Sequence, residues 1–366
     1  MDTGSGGGPG SICWRCGFRK GSVTGAVLLA LWALVLGVPA CCPVATAMEA
    51  TAVSQATPPP ARIWTAAIRW ENDTVANNDR FYTNGAAVSL AHTGESWANP
   101  VIDRLPWGQG RRTVTYSLSQ AMFTPEETER ATPNPADRPY AGVLTFDLGL
   151  HVDRDNRYHG LKLVFGVVGP WAGAGETQRE VHRLINTIIP QGWDSQLHNE
   201  PIINLAYEHR RKYRVLGRAD GWAVEALPVV GFMLGNLLTQ GHAGGQVRLG
   251  YKIPDDFGAT LLRGMSGLPP PRQPLPDTQS TDSTLGFYLY GAVRGNLVLH
   301  DITLDGNTFK DSPSVDKELF VPAAGVGVGV GNRRFLAAFS YVFAGKEFKG
   351  QRSAAEFGTL TFSYFF

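Results

Sequence analysis

The side chains with chemical potential fall into three short stretches. Trp70-Glu71-Asn72-Asp73 ends one alternating run, and Asp79-Arg80-Phe81-Tyr82-Thr83-Asn84-Gly85 opens the next. The flanking alternation, over 63–70 and 86–92, marks two strands joined by a polar loop. Asn72, Asp73 and Thr83 therefore stand at the same end of neighbouring strands. They offer amide, carboxylate and hydroxyl oxygens, a set that suits a hard cation or a hydrogen-bonded ester. Asn and Asp also form turns with no chemistry attached, by bonding their own backbone. The third stretch, residues 176–189, sets Val181, Leu184, Ile185, Ile188 and Ile189 at helical spacing before Pro190-Gln191-Gly192 stops the run. Gln178 and His182 are four apart on that helix and share a face. Their neighbours are apolar, so the pair points toward protein or lipid rather than bulk water, and the apolar stripe needs a surface such as a wall of strands.

His182 is the candidate general base. An imidazole titrates near neutrality and can take a proton from water and return it to a leaving group. A lone histidine on a half-apolar helix also serves purely structural ends. The other histidines, His92, His151, His159, His198, His209, His242 and His300, show no metal-ligand spacing such as H-E-x-x-H. Gly264-Met265-Ser266-Gly267 lacks the full nucleophile-elbow pattern and its α/β surroundings.

The elements that must carry these residues are strands. Segments over 63–71, 83–92, 113–120, 142–152, 159–168, 202–214, 222–233, 244–252, 285–298, 319–330, 335–343 and 357–366 read as about twelve strands, many alternating, as in Leu144-Thr145-Phe146-Asp147-Leu148. Each is near the length that crosses a bilayer as a tilted strand, and after residue 47 no apolar run is long enough to cross as a helix. The fold class is all-β, either a soluble sandwich or barrel or a transmembrane antiparallel β-barrel, with a short helix in one loop. The last strand favours the membrane. Leu360, Phe362, Tyr364 and Phe366 put large apolar groups on one face up to the carboxylate, which would be an aggregation-prone edge in a soluble protein and is useful to a closed barrel in lipid.

Arg15, Arg19 and Lys20 precede an apolar run over 23–38, and Ala45-Thr46-Ala47 has the small-x-small pattern of a secretory cleavage site. Residues 1–47 are thus expected to be a signal peptide, 48–62 a leader stiffened by Pro58-Pro59-Pro60, and 63–366 the barrel. A lipoprotein modified at Cys41 is the alternative, and Pro39 suits it poorly. Cys13, Cys16, Cys41 and Cys42 all precede the cleavage point, so no disulfide or zinc framework survives maturation. With 33 basic against 32 acidic residues, nothing argues for nucleic acid as a partner. If the N-terminus is periplasmic, the loops after the first, third and fifth strands face the cell exterior, and these hold Asn72 to Thr83, residues 122–140 and residues 169–200. The Pro-rich stretch over 267–272 would then be a long periplasmic connection, where short turns are usual.

Taken together these stretches resemble the outer-membrane lipid A deacylases, the Gram-negative lipid A 3'-O-deacylase family. The match is carried by Glu71-Asn72-Asp73, Phe81-Tyr82-Thr83-Asn84-Gly85, Asp137-Arg138-Pro139-Tyr140-Ala141-Gly142, Gly166-Val167-Val168-Gly169-Pro170, Gln178 with His182, Gln191-Gly192-Trp193-Asp194, Leu304-Asp305-Gly306-Asn307-Thr308-Phe309 and Ser314-Val315-Asp316-Lys317. The resemblance implies a twelve-stranded barrel in the bacterial outer membrane, hydrolysing the ester of the 3'-acyloxyacyl group of lipid A with calcium as cofactor. It implies His182 as base, Gln178 beside it, Asn72 and Asp73 as a polar wall orienting water or holding calcium (Asp73 as the metal ligand), and Thr83 as the hydroxyl opening the second strand. Arg130, Arg138 and Lys310 are candidates for lipid A phosphates, Arg130 first. The terminal aromatic strand resembles the signal read by barrel-assembly machinery. Where some relatives carry a carboxylate about two turns after the histidine, this chain has Thr187-Ile188-Ile189. A calcium-dependent phospholipase and a non-catalytic pore or adhesin remain alternative readings.

Overall fold

The computed structural model describes residues 62–73, 81–258 and 284–366. The expected signal peptide with its four cysteines, the proline leader, Asp79-Arg80, Gly264-Met265-Ser266-Gly267 and the Pro-rich stretch over 267–272 lie outside the described residues.

Thirteen strand segments form one antiparallel sheet: β1 (Trp64–Asn72), β2 (Phe81–Thr93), β3 (Arg111–Thr124), β4 (Ala141–Arg154), β5 (Arg157–Val168), β6 (Glu200–Arg211), β7 (Tyr213–Gly217), β8 (Trp222–Gly235), β9 (Leu238–Tyr251), β10 (Gly286–Asp301), β11 (Phe320–Gly331), β12 (Phe335–Ala344) and β13 (Ala355–Phe365). Apart from β6 and β7, each pairs with its neighbour in sequence, and β1 pairs with β13, with Trp70 opposite Leu360, so the sheet closes on itself. β6 and β7 both lie along β8, one after the other. They are two pieces of one wall position, interrupted at Lys212, and the wall is the twelve-stranded antiparallel barrel that the alternation predicts. Closure leaves no unpaired strand edge, the condition for backbone to sit in lipid.

Alternate residues face opposite sides of a strand, and the two sides of this wall are the reverse of a soluble protein. Ile68, Trp70, Phe146, Phe165, Leu249, Leu289, Val328, Leu360 and Phe362 are exposed on the outside. Between them Ser89, Thr115, Ser117, Ser119, Asp147, Gln246, Arg248 and Thr359 are buried on the inside. An apolar exterior around a polar interior is the pattern of a barrel solvated by acyl chains. No helix among the described residues is long and apolar enough to cross a membrane.

The lumen holds paired charges. Arg248 donates to Glu225 Oε2 at 2.5 Å and to Asp256, and Lys162 lies 3.6 Å from Asp147. After β9 the chain turns inward, so that Phe257 packs against Tyr158 and Leu227, and Arg210 donates to the carbonyls of Phe257 and Gly258 at 2.8 and 3.1 Å. This segment closes the end that carries both termini of the barrel. At the opposite end the loops are tied together: Asn307 Nδ2 donates to His198 O at 2.8 Å, and Thr308 N to Glu200 Oε2 at 2.8 Å. Arg138 belongs to this tie. It is 1% exposed and its side chain donates to Glu347 Oε2 at 3.0 Å and to Thr303 Oγ1 at 2.9 Å, with its guanidinium 4.6 Å over the Phe123 ring. The helices are α1 (Asn99–Ile102), α2 (Ala174–Leu184) and α3 (Ile302–Asp305). The expectation that Arg138 meets lipid A phosphates is corrected by this placement, because its charge is committed to holding loops inside the mouth.

Candidate active site on the outer face of the barrel

Strand parity places the polar residues of the first hairpin. On β1, Thr65, Ala67 and Glu71 are buried toward the lumen, so Ile68, Trp70 and Asn72 share the outer face. Asn72 lies opposite Asn84 on β2, and its Nδ2 donates to Thr83 O at 3.2 Å. The register of β2 against β3 slips by one between Tyr82 and Asn84, leaving Thr83 as the extra residue of a bulge. A bulge re-aims side chains. Tyr82 turns into the lumen, donates to Glu71 Oε2 and packs on Phe123 and Phe357. Thr83 turns the other way, and its Oγ1 meets Thr124 Oγ1 at 2.7 Å. Both threonines are buried although they sit on the side of the wall that elsewhere faces out. Asp73 follows directly after β1 and is also buried.

What covers this stretch of wall is the loop between β5 and β6. Gln120 Nε2 donates to Ala172 O at 2.7 Å, and Met122 packs with Tyr140, Ala174 and Trp193. The approach is close enough to require glycine on β4: a Cβ on Gly142 would stand 2.5 Å from the Cβ of Ala174. Gly173, with φ of 68°, makes the left-handed entry to α2 that a residue with a side chain resists.

The helix differs from the predicted one in length and in facing. It covers Ala174–Leu184 rather than 176–189, and Asn186, at φ 54°, turns the chain back. Pro190 also disfavours helix at the residue before it. Its buried side carries Ala174, Gly175, Gln178 and His182, whereas Val181, Leu184 and Ile185 are exposed, Leu184 at 86%. The expectation that the apolar stripe packs on the barrel wall is therefore corrected. Where the surroundings are acyl chains, the apolar face belongs outside and the polar face against protein.

His182 is 7% exposed, and its Nδ1 lies 2.5 Å from Ile188 O. A carbonyl only accepts, so Nδ1 carries the hydrogen and neutral imidazole is left with its lone pair on Nε2. Thr187-Ile188-Ile189, which has no acid, thus contributes a backbone oxygen that sets the tautomer. Gln178, 3% exposed, accepts at Oε1 from Trp193 Nε1 at 2.7 Å, and its Nε2 has no hydrogen-bond partner among the described residues. Trp193 is buried in the short 3-10 turn Gly192–Ser195. Arg130 lies in the loop between β3 and β4, largely exposed and paired with Glu127 at 2.5 Å, and Lys310 is exposed in the loop after α3.

Asn72, Thr83 and Thr124 thus lie on the outer side of three adjacent strands at the loop-rich end, and α2 carries Gln178 and His182 on its buried side, with Gln178 tied through Trp193 to Met122 of β3. Among the described residues no cluster of three or more His, Cys, Asp or Glu side chains is gathered as a metal site. The donors of the hairpin are nonetheless all oxygens, with one carboxylate in Asp73 and the amide oxygen of Asn72, a chemistry that fits a hard cation and not a soft one. Thr124 and Trp193 are the site residues that reading the sequence did not single out. Thr124 lies past the predicted end of its strand, and an indole carries no spacing signal of its own.

These features define an outer-membrane β-barrel with a polar site let into the lipid-facing side of its wall. The chain belongs to the outer membrane protein LpxR family, whose family model matches residues 31–366, and it is an outer-membrane lipid A deacylase. LpxR from Salmonella typhimurium is similar in structure, with a TM-score of 0.64 at 19% identity over 82% of this chain and 100% of that one. The β domain of the Bordetella autotransporter BrkA aligns over 83% of this chain and 98% of its own, at 11% identity and a TM-score of 0.37. The translocator domain of the autotransporter NalP from Neisseria meningitidis aligns over 83% and 88%, at 10% identity and a TM-score of 0.32. No curated protein sequence matches significantly.

Proposed function

We propose that the chain is a carboxylic ester hydrolase that removes the 3'-acyloxyacyl group of lipid A, using His182 to activate water. The observation that carries this reading is the buried imidazole whose Nδ1 is held by Ile188 O, so that Nε2 is the basic nitrogen. In the reaction Nε2 takes a proton from water as the water oxygen bonds to the ester carbonyl carbon. The tetrahedral oxyanion then collapses, the carbon to sugar-oxygen bond breaks, and the imidazolium returns the proton to the departing 3-hydroxyl. A fatty acid and a glucosamine hydroxyl result. Gln178 Nε2 is a donor one helical turn from the base and stabilises the oxyanion. Asn72 and the Thr83–Thr124 pair line the wall side and orient water and ester. Asp73 and the Asn72 amide oxygen would hold calcium, which when bound supplies positive charge opposite the developing oxyanion. Arg130, exposed at the mouth, meets the lipid A phosphates, and the loop-rich end faces the cell exterior. The aromatic face of β13 is the segment offered to the assembly machinery, after cleavage of a signal peptide near residue 47.

The test is mass spectrometry of lipid A from cells expressing the intact protein or His182→Ala, with calcium present. Loss of the acyloxyacyl group with the intact protein alone is expected. Release by the histidine variant would overturn the reading. Pure protein incubated with glycerophospholipid and calcium should leave that lipid intact, and its hydrolysis would point to a phospholipase instead.

A further inference from the structure

Trp193 is an unusual neighbour for a catalytic face. Its ring is buried against Met122, Tyr140 and Ala174, which packing alone explains. Its N–H is spent on one acceptor, Gln178 Oε1, at 2.7 Å. An indole nitrogen only donates, so the amide of Gln178 must present its oxygen to Trp193 and its NH2 to the opposite side. There the NH2 finds no acceptor among the described residues, although Gln178 is 3% exposed. A buried donor left unmet is costly, and such groups are kept where a ligand supplies the missing partner. The acceptor that this site lacks is an ester oxygen, and the donor lies on the face of α2 that also carries His182, four residues on.

We propose that Trp193 is a positioning residue: its indole N–H fixes the orientation of the Gln178 amide so that Nε2, and not Oε1, faces the reacting ester. Rotated by half a turn, the same side chain would set an oxygen against the developing oxyanion and oppose the reaction. The inference rests on the reading of His182 and Gln178 given above and assigns to the turn Gly192–Ser195 a role in rate rather than in fold alone.

A double-mutant cycle tests it. Trp193→Phe keeps an aromatic ring in the cluster and removes the N–H. It should lower kcat for lipid A about 10- to 100-fold with KM unchanged, because a misaligned donor loses part of what a deleted one loses. In a Gln178→Ala background the same change should cost nothing further. Gln178→Glu, which keeps an acceptor for the indole and has no donor, should be as slow as Gln178→Ala. The proposal is overturned if Trp193→Phe leaves kcat unaltered, if its loss persists undiminished beside Gln178→Ala, or if Gln178→Glu retains full rate. Heat-modifiable migration on gels reports folding of each variant. Activity surviving in His182→Ala would instead refute the catalytic reading itself, and so separates the two failures.

Discussion

Inside the barrel Arg248 is met by both Glu225 and Asp256, Arg210 by Glu208 and two carbonyls, and the segment holding Phe257 folds in to complete the set. On the outer side, His182 and Gln178 of α2 are just as buried, and each engages one end of its side chain with a structural partner, Ile188 O and Trp193 Nε1. In the lumen charge answers charge, although a few donors such as Arg294 Nε and Nη2 stay unmet among the described residues, whereas on α2 the partners are a backbone carbonyl and an indole. Charge pairing suits stability, because a buried charge with its counter-charge in place is a fixed part of the fold. Chemistry needs a base and a donor with capacity left for a substrate, as the unmet Gln178 Nε2 has. The contrast fits the proposed reaction on the outer side of the wall, where an acylated sugar would meet the protein without leaving the membrane.

The largest effects should separate the two regions. His182→Asn is expected to lower the deacylation rate by about 10²–10⁴-fold while leaving the heat-modifiable band unchanged; equal rates in a lipid A release assay would erase the distinction. Asp256→Ala should do the converse. Leaving Arg248 partly unmatched in the lumen is expected to cost about 3–5 kcal/mol of stability, read as a lower urea midpoint in detergent, with the folded fraction still active. A variant of unchanged midpoint would mean that the lumen network does not hold the fold together.

Smaller effects sharpen the outer boundary. Replacing Leu184 and Ile188, both exposed on the loop, by serine should raise KM about tenfold for lipid A in vesicles. Their side chains give up acyl contact worth about 1.5 kcal/mol or more when fully buried. Substrate dispersed singly in detergent should show little change, and an equal loss in both assays would place the stripe outside the acyl layer. Arg130→Ala should weaken binding of bisphosphorylated over dephosphorylated lipid A by about two- to fivefold, the scale of one exposed ion pair.

Much of the fold was legible because strands in a barrel have one dry side and one polar side. Alternation located all twelve wall positions, even the one broken at Lys212. It failed where a loop changes the environment of one face. The predicted third strand stops at Gln120, whereas β3 runs to Thr124, because residues 121–124 are buried on both sides, with α2 and Trp193 on one and the lumen on the other. The same cause hid Thr124. The helix was placed by its spacing but assigned the wrong outward face, since a periodic stripe shows that two environments exist and not which of them is water, lipid or protein.

The amino-acid sequence by itself determined the period-two pattern, the even strand count, the polar residues at one end and the i, i+4 pairing of Gln178 with His182. These depend only on local geometry and on the order of residue types. The tertiary structure decided that Thr83 faces outward through a bulge, that Arg138 is consumed in tying loops, that Ile188 O fixes the imidazole tautomer and that Trp193 fixes the Gln178 amide. Each of those is a contact between atoms brought together by a slipped register, a turned-back chain or a closed ring, and none has a spacing along the chain from which it can be read.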